Sequence, residues 1–215
     1  KVKVLKKPRY VTKDCSGCGE CAKVCPITTP NEFDVGLATR HGIYTPFAQA
    51  VPSTYIIDRN LCLNKENIIM CDKCIKACER KTIDFDMKPE MLELDVGTII
   101  VATGADVYDP TSLVNYGYTK YLNVITSLEF ERLINAGGPS AGHLLRPSDM
   151  QIPNTVAFIQ CVGSRSERGH LYCSNVCCMN TIKDALLIKE HWPETEVYVY
   201  YVDIRAYGKG FEDLY

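Results

Sequence analysis

The chain has 215 residues, a formal net charge of −2 and a hydrophobic content of 46%, values typical of a globular protein that buries a core. This charge balance argues against a nucleic-acid-binding surface, which needs an excess of lysine and arginine, and no apolar run is long enough to span a membrane. The sequence starts at Lys1 without an initiator Met or a signal-like stretch, so we expect a cytoplasmic protein that is a piece of a longer polypeptide.

The twelve cysteines are the unusual feature of the composition. Disulfide frameworks occur mainly in secreted and usually smaller proteins, whereas many of these cysteines lie three or four positions apart and no secretory signal precedes them. The pattern therefore predicts metal ligands rather than disulfides.

Residues 1–11 alternate between apolar and basic side chains, as a β-strand does, and a cysteine-rich stretch follows from Asp14 to about Met87. This stretch contains four prolines and much irregular polar sequence, so it has little with which to build a large core. Bound metal clusters are expected to supply the missing stability.

The first cysteine run has the bacterial ferredoxin spacing C-x2-C-x2-C-x3-C-P. Its members are Cys15, Cys18, Cys21, Cys25 and Pro26. Three thiolates at this spacing can hold three corners of a [4Fe-4S] cubane, while Gly17 and Gly19 let backbone amides turn toward its sulfides. In two-cluster ferredoxins the fourth cysteine of such a run ligates the other cluster, so Cys25 is expected in the second cluster.

The partner run departs from this spacing at two points. Its first gap is widened to eight residues, 63–70, and Glu79 stands where proline is usual. The insert can loop out, because lengthening a surface loop costs little closure entropy. Cluster one is assigned to Cys15, Cys18, Cys21 and Cys78, and cluster two to Cys25, Cys62, Cys71 and Cys74. The alternative is two structural zinc sites with four thiolates each.

An α/β pattern follows the cysteine-rich stretch. Residues 91–96 alternate, and the β-branched run at residues 98–102 predicts a buried strand that ends at the Thr103-Gly104 turn. A helix of about ten residues is predicted from Ser127, with Glu129 and Glu131 in its first turn. Residues 137–153 are rich in Gly, Pro and Ser and are expected to form a linker between two lobes.

The last part of the chain is predicted to contain a strand at residues 155–160, a helix over Cys177–His191 and a strand at residues 197–202. A second cysteine set, Cys161, Cys173, Cys177 and Cys178, lies between the first strand and the helix. Its spacing matches no standard ferredoxin. A third [4Fe-4S] cluster, a zinc site, a redox thiol pair and buried apolar cysteines all remain open, with His170 as a candidate substitute ligand or a surface residue. NAD(P)H is not expected at this turn, which lacks the glycines of G-x-G-x-x-G.

Three segments together resemble the A-subunit family of heterodisulfide reductases: the ferredoxin block, Ile99–Gly104, and the stretch from Gln160 to Met179. The likeness covers essentially the whole chain. It implies an α+β two-[4Fe-4S] ferredoxin-like domain inserted in an α/β, Rossmann-like and thioredoxin-reductase-like flavoprotein fragment. The implied segments are residues 1–11 as a strand of the flavoprotein lobe, 12–88 as the ferredoxin domain, 89–150 as the remainder of the FAD-type lobe, and 151–215 as the start of an NAD(P)-like lobe.

The same resemblance implies cofactors and residue roles. The irregular ligand set of the family would map to Cys161, Cys173, Cys177 and Cys178, and Thr103 and Gly104 match a turn that lies near FAD. The sequence does not contain the first FAD-binding βαβ unit of the family.

The function implied by the resemblance is electron transfer within a heterodisulfide reductase-like complex that can bifurcate electrons at a flavin. The implied partners are disulfide-reducing subunits, hydrogenase or formate dehydrogenase, and ferredoxin. Two alternatives stay open, namely a standalone polyferredoxin or adaptor without flavin, and an interaction module organised by zinc. The pattern indicates no nucleophile set, phosphate loop or carboxylate pair with a catalytic role.

Overall fold

The computed structural model describes residues 1–64 and 69–215, so the middle of the predicted insert at residues 63–70 lies outside the described residues. The protein is a small α+β structure of short strands and helices, divided into two compact units, Lys1–Gly104 and Ala105–Tyr215. This division falls between the boundaries that the sequence analysis placed after residues 88 and 150.

Short elements make up unit 1. They are strands β1 (Val2–Lys6), β2 (Thr28–Pro30), β3 (Thr39–His41), β4 (Ile43–Tyr44), β5 (Ile56–Ile57) and β6 (Glu90–Leu94), and helices α1 (Glu20–Lys23) and α2 (Lys73–Ala77). The strands pair as three antiparallel ribbons, β1 with β6, β2 with β3, and β4 with β5.

The ribbon of β1 and β6 brings together the two ends of the cysteine-rich stretch. Val2 lies opposite Leu94 and Lys6 opposite Glu90, so the two flanks of the stretch form one antiparallel ribbon. The pairing resumes further in, where Val11 bridges to Ile83. The intervening chain therefore leaves the ribbon and returns to it, as an inserted domain would.

The buried strand predicted at residues 98–102 is wrong. This segment forms no strand, and Ile99, Ile100 and Val101 are 68%, 88% and 80% exposed. A buried strand needs a hydrogen-bonded neighbour and a covering layer, and no described residue of the chain supplies either to this segment.

The core of unit 1 is small. Its buried apolar members are Val11, Cys21, Ile43 and Ile57, and partly buried side chains such as Tyr10 and Phe85 pack around them. Beside this core Arg40 is buried, and its guanidinium binds both carboxylate oxygens of Glu32 at 2.6 Å and Asp58 at 3.1 Å. Unit 1 thus lacks the layered core of a larger domain and has instead two cysteine-bearing helices and one ion-pair network around its small core.

Unit 2 contains helix α3 (Ser127–Leu133), strand β7 (Thr155–Ile159), helix α4 (Cys177–His191), strand β8 (Glu196–Tyr200) and helix α5 (Phe211–Leu214). Strands β7 and β8 pair in parallel, and α4 lies between them in sequence and packs on β8. The predictions for β7, α4 and β8 are confirmed, with α4 spanning the predicted residues.

Helix α3 begins at the predicted residue, Ser127, but is shorter than predicted. Its N-cap is Thr126, whose hydroxyl accepts a hydrogen bond from the Glu129 amide, while the Glu129 carboxylate accepts one from the Thr126 amide. This reciprocal capping box satisfies two amide donors that the first turn cannot pair. Glu129 therefore acts as a capping residue as well as a first-turn charge.

The segment predicted as a linker, residues 137–153, contributes to the core of unit 2. Leu144 is buried with Phe130 and Ile188, and the Ser140 hydroxyl donates to the carbonyl of Leu133. Its Gly, Pro and Ser content reflects tight turns rather than a free connection. Among the helices of residues 1–64 and 69–215, none combines the length and apolar character needed to cross a membrane.

Candidate metal centres

Helices α1 and α2 position the central cysteine of each ferredoxin-type run. Cys21 is buried on α1 and Cys74 lies partly buried on α2, and the two helices pack against each other. The turn before α1 passes through Gly17 and Gly19, whose φ angles are 73° and 85°. These left-handed conformations favour glycine, as the sequence analysis expected for a backbone that turns its amides toward a ligand.

The structure brings together the cysteines assigned to cluster one. Burial raises the pKa of Cys21 to about 12, and the neighbouring thiols Cys15, Cys18, Cys74 and Cys78 contribute to the rise because a thiolate at Cys21 would meet other thiolates. Three of these neighbours, Cys15, Cys18 and Cys78, complete the predicted set. Such a group of sulfurs is stable as thiolates only when a cation compensates their charge.

Cys78 differs electrostatically from Cys21. Burial acts to raise its pKa, but hydrogen bonds from Thr82 and from the backbone amides of Lys81 and Arg80 outweigh burial and lower it. The Thr82 hydroxyl lies 3.3 Å from Cys78 Sγ and the Thr82 amide donates to the same sulfur at 3.4 Å. These hydrogen bonds therefore stabilise a negative charge on the Cys78 sulfur.

A corresponding arrangement holds the cysteines assigned to cluster two. Burial raises the pKa of Cys74 to about 11, and the thiols of Cys62, Cys71 and Cys25 add to the rise. All four cysteines line one small cavity, partly open to solvent, whose other walls include Ile27, Ile43 and Ile57. Cys25 thus faces the second run although it belongs to the first, as the crossed assignment requires.

The Arg59 guanidinium accompanies this second group. Its Nη1 donates to Cys62 Sγ at 3.9 Å and to the carbonyl of Asn64, and the Asn64 side chain donates to the carbonyl of Cys71 at 2.8 Å. These bonds fix the chain on either side of residues 65–68. The sequence analysis did not single out Arg59, whose one signal was its position three residues before Cys62.

The third cysteine set lies at the start of α4. The Cys178 thiol is buried, which raises its pKa, and the nearby thiols of Cys177 and Cys161 raise it further. The Cys173 sulfur accepts from the Asn175 amide at 3.4 Å, in the segment that leads into Cys177. Cys161 has a φ of 58°, so the chain leaves β7 through a strained turn at that residue.

Asp203 connects this set to the chain after β8. Its carboxylate accepts two hydrogen bonds from Arg165, whose side chain also contacts Cys161, and its carbonyl lies 3.9 Å from Cys178 Sγ. His170 stacks on Tyr172 at 4.8 Å and meets Tyr108 edge-on, and no metal-ligand role is visible for it in residues 105–215.

The type of donor atom in the three cysteine sets, rather than a preformed site for one metal ion, is what indicates metal binding. In the described residues, no three His, Cys, Asp or Glu side chains are grouped closely enough to hold a single metal ion. A [4Fe-4S] cluster makes a different demand, because each thiolate binds its own iron. Four thiolates without oxygen or nitrogen donors fit such a cluster by ligand softness.

Thr103 and Gly104, the residues predicted to lie near FAD, are in an exposed segment. Every residue from 93 to 107 is exposed, so no residue that the structure describes covers these two. Gly104 has a φ of 80°, which agrees with the predicted turn. FAD binding therefore stays a prediction, and no step of the function is derived from it.

Comparison with individual known proteins identifies the family of this chain, although no family model matches its sequence. The chain is 54% identical over its whole length to the A-subunit of H(2):CoB-CoM heterodisulfide,ferredoxin reductase from Methanothermobacter thermautotrophicus, and covers 32% of that protein. It is 56% identical to the iron-sulfur A-subunit of CoB--CoM heterodisulfide reductase from Methanocaldococcus jannaschii, again over 32% of that protein.

A more distant relative gives the same result. The chain is 42% identical over its whole length to the A-subunit of Ferredoxin/F(420)H(2)-dependent CoB-CoM heterodisulfide reductase from Methanosarcina acetivorans, and covers 27% of it. The chain thus spans about a third of the length of the curated relatives it matches. The resemblance that the cysteine runs and the segments around Gly104 and Cys161 predicted is confirmed: the chain belongs to the A-subunit family of heterodisulfide reductases.

Proposed function

We propose that this chain carries electrons through iron-sulfur clusters within a heterodisulfide reductase-type complex. The observation that supports the proposal is that the fourth cysteine of each run lies near the other run: Cys78, like Cys74, neighbours Cys21, and Cys25 lines the cavity of Cys62, Cys71 and Cys74. Two zinc sites need no such exchange of the fourth ligand, whereas two-cluster ferredoxins do exchange it.

The residues of the chain would perform three tasks. Each set of four thiolates would hold one [4Fe-4S] cluster, which takes up and releases a single electron without making or breaking a bond to substrate. Amides and hydroxyls such as that of Thr82 would stabilise the negative charge on the sulfurs. The apolar walls around Ile43 and Ile57 would limit the access of water.

We further propose a third cluster on Cys161, Cys173, Cys177 and Cys178, and FAD near Thr103 and Gly104 in a larger assembly. The names of the relatives mention hydrogen, formate, ferredoxin and F420H2. By analogy, the partners proposed for this chain are disulfide-reducing subunits, hydrogenase or formate dehydrogenase, and ferredoxin. Flavin-based electron bifurcation belongs to the same proposal.

Iron and acid-labile sulfide content per chain test the proposal directly. About twelve irons correspond to three cubanes, and about eight confine them to unit 1. We expect Cys177→Ser to lose about four irons and to keep about eight. A variant with unchanged iron would remove the third cluster from the proposal, and a colourless protein that binds zinc without sulfide would overturn the proposal as a whole.

A second candidate function is a flavin-free adaptor that passes electrons between other enzymes. Flavin analysis of the purified native complex separates the two functions. Flavin bound in stoichiometric amount supports the flavoprotein assignment, and its absence from a complex that retains iron supports the adaptor.

A further inference from the structure

Arg59 places a positive charge against one sulfur of the group assigned to cluster two. Its Nη1 lies 3.9 Å from Cys62 Sγ, and the residue lies two positions after the buried Ile57, the last residue of β5. The side chain is half-buried rather than free in solvent. The contact therefore has a fixed direction, with the guanidinium donating and the sulfur accepting.

Two aromatic rings hold the guanidinium at this position. Its central carbon lies 4.8 Å from the centre of the Phe85 ring and 5.4 Å from that of the Tyr10 ring. Both rings belong to the partly buried layer around the core of unit 1. They displace water from the guanidinium, so its charge is less screened at the sulfur than a surface charge would be.

The nearest acidic residue in the sequence does not neutralise this charge. Asp58 pairs instead with the buried Arg40 at 3.1 Å. The third cysteine set offers a contrast, because Arg165 contacts Cys161 but binds the carboxylate of Asp203. Of these two arginines, Arg59 is thus the one that has no ion pair with a carboxylate among residues 1–64 and 69–215.

We propose that Arg59 raises the reduction potential of the cluster held by Cys25, Cys62, Cys71 and Cys74. This inference rests on the proposed function. The step adds one electron, supplied by a low-potential reductant such as dithionite, and a nearby positive charge stabilises the more negative product. Arg59 is a positioning residue in this sense, because it acts through the sulfur of Cys62.

A purely structural role is the competing explanation. Arg59 also donates to the Asn64 carbonyl, and Asn64 is bonded to Cys71, so the side chain braces the two cysteines that flank residues 65–68. A brace would change the unfolding of the protein or its iron content. It would not change the potential of a cluster that remains fully loaded.

The test is a redox titration of the whole chain after anaerobic cluster loading, with dithionite as reductant and electron paramagnetic resonance as the readout. We expect Arg59→Met to lower the equilibrium constant for reducing one of the clusters about tenfold, which is about 59 mV for a one-electron couple, and to leave the others in place. Arg59→Lys keeps the positive charge but loses the planar guanidinium. The reduction potential of this variant should stay close to that of the native protein.

Arg80→Met is the matched control. It removes the same charge from the same unit. The Arg80 backbone amide, which bonds Cys78, is kept in the variant, and the exposed guanidinium that is removed donates to the Asp14 carbonyl rather than to a sulfur. We expect it to shift no cluster as far as Arg59→Met does.

Three results overturn the inference while leaving the proposed function intact. They are unchanged potentials in a fully loaded Arg59→Met protein, an equally large shift in Arg59→Lys or Arg80→Met, and the loss of four irons from both Arg59 variants, which would make the residue a brace. A native chain without iron would instead overturn the proposed function.

Discussion

Asp184 shows how a single buried charge can make the stability of unit 2 depend on pH. It is fully buried on α4, accepts a hydrogen bond from the Asn180 side chain at 3.1 Å, and lies 3.2 Å from Lys183 Nζ, which also pairs with Glu131. Burial raises the pKa of Asp184 from 3.8 to about 6, and the nearby negative charge of Glu131 contributes to the rise. The folded protein therefore binds this proton more tightly than the unfolded chain does.

A raised pKa at Asp184 fixes the direction of the pH dependence. Because the pKa is raised on folding, ionisation destabilises the native state, and stability falls as the pH rises from about 4 to about 6. We expect the native chain to lose about 1 kcal/mol of unfolding free energy between pH 5 and pH 7 from this residue, and Asp184→Asn to lose much less. Urea unfolding at the two pH values measures this. Equal losses in both proteins would contradict the prediction.

The residues that contact the cysteine sulfurs could not be predicted from the sequence. The eight ferredoxin-type cysteines could be proposed as ligands from their spacing, because the ligand geometry of a cubane constrains neighbouring positions in the chain. Arg59, Thr82 and Asp203 reach their cysteines through turns and strand returns, and no local pattern distinguishes them from surface residues. Their contacts with Cys62, Cys78 and Cys178 become visible only in the folded structure.

Helix α3 depends on its cap more than a longer helix would. It has seven residues, too few to be stable by propensity alone, and Thr126 and Glu129 close its first turn reciprocally. We expect Thr126→Ala to cost about 1 kcal/mol of unfolding free energy, because the Glu129 amide loses its acceptor. Thr126→Ser, which keeps the hydroxyl, should stay near the native value in the same thermal or urea unfolding experiment. An alanine variant as stable as the serine variant would rule out the cap.

Element prediction succeeded where both ends of an element carried local signals. Helix α4 begins at the paired cysteines and ends before Pro193, so pattern and stop signal agreed. The segment at residues 98–102 carried an equally clear β-branched pattern and still forms no strand. Its pattern reports a preference for burial in a sheet, but a strand also needs a partner, and that information does not lie within the segment itself.

The two units differ in what stabilises them, and removal of iron should expose the difference. Unit 1 buries few apolar side chains, among them Val11, Ile43 and Ile57, whereas unit 2 has the core of Phe130, Leu144 and Ile188 beneath the β7–α4–β8 arrangement. Without a metal, the cysteines of unit 1 would either repel one another as thiolates or have to take up protons. The raised pKa values of Cys21 and Cys74 indicate that the thiolates are unfavourable there.

We therefore expect a chelator under reducing conditions to unfold unit 1 while β7, β8 and the middle of α4 remain folded. Hydrogen exchange followed by mass spectrometry is the measurement. Amides of the Val11–Ile83 bridge and of β4 and β5 should lose protection after iron removal, and those of β7 and β8 should keep it. Equal protection of unit 1 before and after removal would show that its small apolar core folds unaided, and that bound metal contributes little to its stability.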